Sequence, residues 1–131
     1  MKTMVEFKSD KFPPYAGEEE EINPGLWGKR LAEYLQENLP HHGIPVMCIG
    51  SEDWGWVVEL ENANFPMWIG CGHQSGEADE FLCFIEPSRP FIRKWFKKID
   101  TTSKVGHVSK ALAKILESDP DIREISWTSK I

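Results

Sequence analysis

The chain has 131 residues, of which 40% are hydrophobic and 27% charged, with a formal net charge of −6. That balance excludes a disordered chain, and no apolar run approaches the ~20 residues that a membrane-spanning helix needs. Three cysteines, with no closely spaced pair among them, argue against a secreted disulfide framework and for reduced thiols in a cytoplasm.

A chain of this length suits a single domain over residues 1–131, with residues 1–22 partly irregular, and buries enough surface to need no disulfide or metal staple. The first 15 residues alternate charged and apolar side chains without a signal-peptide core, so a cytoplasmic location is expected. The charge is uneven. Residues 1–88 hold 16 acids and 5 bases, a net of −11, while residues 89–131 hold 10 bases and 5 acids, a net of +5. An acidic whole argues against a nucleic-acid partner, which requires a cationic face, and favours a basic protein partner. Six tryptophans and seven phenylalanines imply an aromatic-rich core or an aromatic surface.

In chain order, residues 4–7 alternate as a short strand, and residues 11–17 are loop, with two prolines. The acidic run Glu18–Glu21 reads as a solvated loop or an electrostatic docking patch. Asn23 and Pro24 predict a helix start, with Trp27, Leu31, Tyr34, Leu35 and Leu39 on one face and Pro40 and Gly43 as the stop. Residues 44–49 form an apolar run. Trp54, Trp56, Val58 and Leu60 then alternate with small or acidic residues as in a half-buried strand, and Phe65, Met67, Ile69 and Cys71 alternate again. Residues 72–79 read as loop and Glu80–Glu86 as a strand.

The segment 89–99 carries five cations and no acid, and Phe91, Ile92, Trp95, Phe96 and Ile99 have helical spacing. This predicts a short amphipathic helix. Asp100 or Thr101 caps a further helix with Val105, Val108, Leu112, Ile115 and Leu116 on its apolar face, and Ile122–Thr128 closes the chain as a strand. The expected order is β-α-β-β-β-β-α-α-β. Short connections predict an antiparallel sheet of about four to six strands with helices packed on one face, an α+β fold. The other face is then left for loops, a second copy or a partner.

The most distinctive string is Glu52-Asp53-Trp54-Gly55-Trp56. Two carboxylates beside two tryptophans on one strand face suit a binding hot spot. The same string also reads as a turn, a bulge and two core residues. Adjacent carboxylates on opposite strand faces make a poor acid–base pair.

Cys71-Gly72-His73 raises zinc or a cysteine nucleophile, but the ligand pairs of a zinc knuckle are missing, so no metal, cofactor or catalytic residue is assigned. Gly70, Gly72 and Gly76 are too scattered for a phosphate cradle. The basic segment fits a membrane-surface helix, a nucleic-acid contact or a protein contact. Its blander reading is a helix packed on the sheet with solvated lysines. A helix of three turns inside the domain argues against the membrane.

The general look, a small acidic α+β domain with exposed-looking tryptophans and no catalytic constellation, is similar to that of many bacterial toxin-neutralising immunity proteins. The leading expectation is a non-enzymatic protein-binding domain of immunity-protein or adaptor type, bound to a basic partner through residues 52–56. The alternative is a small-molecule-binding domain or small enzyme whose pocket, between sheet and helices, is lined by Trp54, Trp56, Trp68 and His73. A homo-oligomer is compatible with either. No nucleic acid and no membrane is expected as a partner.

Overall fold

The computed structural model describes residues 1–73 and 76–130. Its main sheet has six antiparallel strands in the order β2-β3-β4-β5-β1-β8. These are β1 (Met4–Ser9), β2 (Val46–Glu52), β3 (Gly55–Leu60), β4 (Met67–His73), β5 (Glu80–Glu86) and β8 (Ile122–Thr128). A separate two-stranded hairpin pairs β6 (Phe91–Lys94) with β7 (Lys97–Asp100). The helices are α1 (Glu18–Glu21), α2 (Lys29–Asn38) and α3 (Thr102–Glu117), with a 3-10 turn at Leu39–His42. The α+β architecture expected from the sequence is present, with the helices on one side of the sheet. No helix among the described residues is long and apolar enough to cross a membrane.

Strand alternation places the core. Trp56, Val58 and Leu60 on β3, Met67, Ile69 and Cys71 on β4, and Phe81, Cys83 and Ile85 on β5 are buried beneath the helices. Helix α2 packs over β2, β3 and β4 with Leu31 and Leu35, and α3 over β5 and β8 with Val105, Val108 and Leu112. On β8 the simple alternation fails. A register shift opposite β1 and a left-handed Glu124 (φ 53°) mark a bulge. Ile122, Ile125 and Trp127 can therefore all turn toward the core.

Three local expectations need correction. The helix expected from Asn23 and Pro24 begins at Lys29, because Asn23-Pro24-Gly25-Leu26 closes a tight turn in which the Leu26 N–H donates to the Asn23 carbonyl at 3.0 Å. Pro-Gly at the centre of four residues is a stronger turn signal than Asn-Pro is a cap. The run Glu18–Glu21 is a one-turn helix, and Glu18 is buried. Its carboxylate accepts the N–H groups of Tyr15 at 3.0 Å and of Gly28 and Lys29 at 2.9 Å each. Glu18 thus caps α2 from a distance, where unpaired donors and the helix dipole favour an anion.

The third correction concerns segment 89–99, which is a hairpin and not a helix. Ile92 and Ile99 face each other across it and pack on the core. Its base is closed by the Thr101 N–H to the Pro90 carbonyl at 3.0 Å and by the Thr101 hydroxyl to the Arg89 carbonyl. Thr101 then occupies the N-cap position of α3, and the Asp100 carboxylate at the end of β7 accepts the Thr102 N–H at 2.7 Å.

Candidate functional site

The six residues singled out in the sequence separate into two groups. Asp53 and Trp54 form the two-residue turn between β2 and β3, since Glu52 pairs with Gly55. At Gly55 the strand runs so close to β4 that a Cβ would lie 2.5 Å from the Cys71 carbonyl oxygen. There the chain changes direction, and Trp54 and Trp56 end on opposite faces of the sheet. This corrects the expectation that they share a face.

Trp56 is buried on the helix side, with the Lys29 ammonium 5.3 Å from its ring centre. His73 lies on the same side, stacked on Trp27 with ring centres 3.6 Å apart. Its two ring nitrogens are each 2.8 Å from a carbonyl oxygen, that of Gly25 and that of Glu77. The ring is thus held between two acceptors, with the tautomer deciding which carbonyl receives the N–H. His73 thereby ties the loop before α2 to the loop before β5. Trp54, Trp56, Trp68 and His73 do not line one pocket, because β4 alternation puts Trp68 on the face opposite His73.

The helix-free face carries the other group. Trp54, Trp68 and Phe84 form a closed triangle, with ring centres 6.3 Å apart for Trp54–Trp68, 5.1 Å for Trp54–Phe84 and 5.5 Å for Trp68–Phe84. Their floor is Gly70, where a Cβ would come within 2.3 Å of the Phe84 ring. Glycine at this strand position lets the ring lie on the backbone. The Trp68–Phe84 pair is edge-to-face at 74°, a favourable quadrupole geometry.

Carboxylates surround the triangle. Trp68 is directly opposite Glu59 on β3 and Glu86 on β5, so all three side chains share a face. Glu52 and Asp53 are exposed beside Trp54. Asn23 holds this corner by donating its amide N–H to the Asp53 carbonyl at 2.7 Å. Among the described residues, the strand-borne and C-terminal cations of this face are paired: Lys130 with Glu86, and Lys8 with Glu80 at 3.9 Å and Glu124 at 3.6 Å. Arg123, opposite Lys8, pairs with Asp79 at 2.5 Å and Asp10 at 3.8 Å, while Lys94 of the hairpin borders the same cavity as Trp68 and Glu59. The rim is therefore acidic around a partly exposed aromatic centre, with Trp54 at 36% exposure.

The cysteines sit elsewhere. Cys71 and Cys83 face each other across β4 and β5 in the core, and burial, followed by the hydrogen bond between them, pushes the Cys71 thiol well up. A thiol held protonated is the reverse of what a nucleophile needs. Cys48 is exposed on β2, and its hydrogen bond to Glu59 raises its thiol as well. Among the described residues, no three His, Cys, Asp or Glu side chains converge as a metal-ligand set.

Sequence reasoning missed Phe84 and Gly70. Glycines at the alternate positions 70 and 72 were a signal that one sheet face is bare backbone awaiting rings. In comparisons with known proteins, no family model, no curated protein and no solved structure matches this chain.

Proposed function

We propose that the chain is a protein-binding domain without turnover, of the immunity-protein or adaptor type, and that it docks a basic partner on its helix-free face. The observation that carries this reading is the acid-rimmed triangle Trp54–Trp68–Phe84. Tryptophan anchors with a charged rim are the usual anatomy of a binding hot spot. Charge selects the occupant. A second copy docking through the same face would set Glu52, Asp53 and Glu59 near their own images, and like charges in contact oppose association. A partner bearing arginines or lysines meets both the carboxylates and the electron-rich ring faces.

Capture on the immobilised full chain from a lysate of the source cells tests this, with wild type beside Trp54→Ala and the double reversal Glu52→Lys/Asp53→Lys. The expected result is a basic protein retained by wild type, released by salt, and lost with both variants. Retention of the same proteins by all three would overturn the assigned surface.

A further inference from the structure

The hairpin β6–β7 concentrates three unfavourable features within six residues. Trp95 is 89% exposed and Phe96 fully exposed, so the tip places two adjacent large rings in solvent. Trp95 is also left-handed, with φ 60°, in a two-residue turn where glycine or asparagine is usual. For a bulky residue that conformation is an outlier of the kind found at functional sites. Behind the tip, Lys94 faces Lys97 and Arg93 faces Lys98 across the strands. Directly opposed like charges weaken a hairpin. Among the described residues none of these four cations makes an ion pair.

Nothing in the fold requires this arrangement. The hairpin is held at its base through Ile92, Ile99 and Thr101, and a turn of small polar residues would close it at lower cost. The exposed rings and the opposed like charges are both relieved by a partner that is apolar at the far end and anionic behind it, and the left-handed Trp95 backbone is the cost of presenting a ring at that extremity. The order along the hairpin is specific: rings at the extremity, then a collar of cations on both faces.

We propose that this tip is a membrane-surface anchor for an anionic bilayer, with Trp95 and Phe96 entering the boundary between headgroups and acyl chains. Arg93, Lys94, Lys97 and Lys98 pair with the lipid phosphates above them. The layering matches the depth order of a bilayer interface, where aromatic rings and basic residues each have a preferred level. A site for single-stranded nucleic acid instead interleaves rings and cations along a groove that follows the backbone. The net charge of −6 does not forbid the contact, because charges farther than a Debye length, about 8 Å at physiological salt, are largely screened. Of the acids, Glu59 borders the same cavity as Lys94 and offsets part of that lysine's attraction, leaving Arg93, Lys97 and Lys98. A three-turn helix packed inside the domain would not reach a bilayer, whereas this hairpin ends in two solvent-exposed rings.

Co-sedimentation of the full chain with vesicles tests the anchor, using phosphatidylcholine alone and phosphatidylcholine mixed with phosphatidylglycerol. Binding is expected to the mixed vesicles only, and to be reversed by salt. It should weaken about fivefold for each lysine neutralised in Lys94→Gln and Lys97→Gln. The double variant Trp95→Gly/Phe96→Ser should abolish binding while its thermal melting does not fall, since both side chains are exposed. Equal binding to both vesicle types, binding that survives the tip variant, or tighter binding to a single-stranded oligonucleotide than to vesicles would each overturn the proposal. The tip variant should still capture the basic partner of the helix-free face, so the two surfaces fail separately.

Discussion

The triangle Trp54–Trp68–Phe84 and the tip Trp95–Phe96 use the same side chains in opposite surroundings. In the triangle each ring packs against the other two, the Phe84 ring lies on the backbone of Gly70, and carboxylates rim the group. At the tip the rings are unsupported, the backbone of one is left-handed and the neighbours are cations. Packed aromatic surface contributes to the stability of the free chain, and unpacked aromatic surface cannot. The difference predicts that mutations in the first region lower stability and mutations in the second leave or raise it.

The largest effect is expected for Gly70→Val. Its branched side chain occupies the place of the Phe84 ring, and overpacking of this kind costs about 3 kcal/mol. Urea denaturation should show that loss, with the triangle's fluorescence altered. Phe84→Ala should follow at about 1–2 kcal/mol, less than for a fully buried ring because Phe84 is partly exposed. At the tip the sign reverses. Trp95→Gly removes a left-handed tryptophan and should raise stability by about 1 kcal/mol, seen as a higher melting temperature. The smallest effect belongs to Lys97→Glu, which turns a repulsive cross-strand pair with Lys94 into an attractive one. A gain of about 0.5 kcal/mol is expected, largest at low salt. A loss of stability in either tip variant would mean that the hairpin is structurally integrated and not a free contact device.

The meander β3–β4–β5 and helix α3 were legible in the sequence because each has a long, clean period and is bounded by turns or a cap. Val58, Ile69 and Ile85 could be assigned to the core from alternation alone. The hairpin was not legible, for two reasons. Apolar residues at 91, 92, 95, 96 and 99 satisfy a helical face as well as a cross-strand pair such as Ile92–Ile99. The turn also lacks the Asn-Gly type of signal, because Trp95-Phe96 occupies the place where that signal is read.

Half of the candidate site was legible. Trp54 and Trp68 could be singled out as aromatic anchors, but their shared face depends on the reversal at Gly55, which is set by the close approach of the Cys71 carbonyl. Strand parity cannot see that event. Glu18 was hidden for a related reason. Its role is a contact with the amides of Gly28 and Lys29, made by a turn whose geometry brings residues ten and eleven positions apart together.

Binding of a basic protein on the acid-rimmed face should depend on the carboxylates of Glu52 and Asp53. Titration of the captured partner against wild type and Glu52→Lys/Asp53→Lys by calorimetry, at low and high salt, tests it most directly. Reversal is expected to weaken binding at least about tenfold at low salt, with the gap narrowing as salt rises. Equal affinity for both chains at low salt would contradict it.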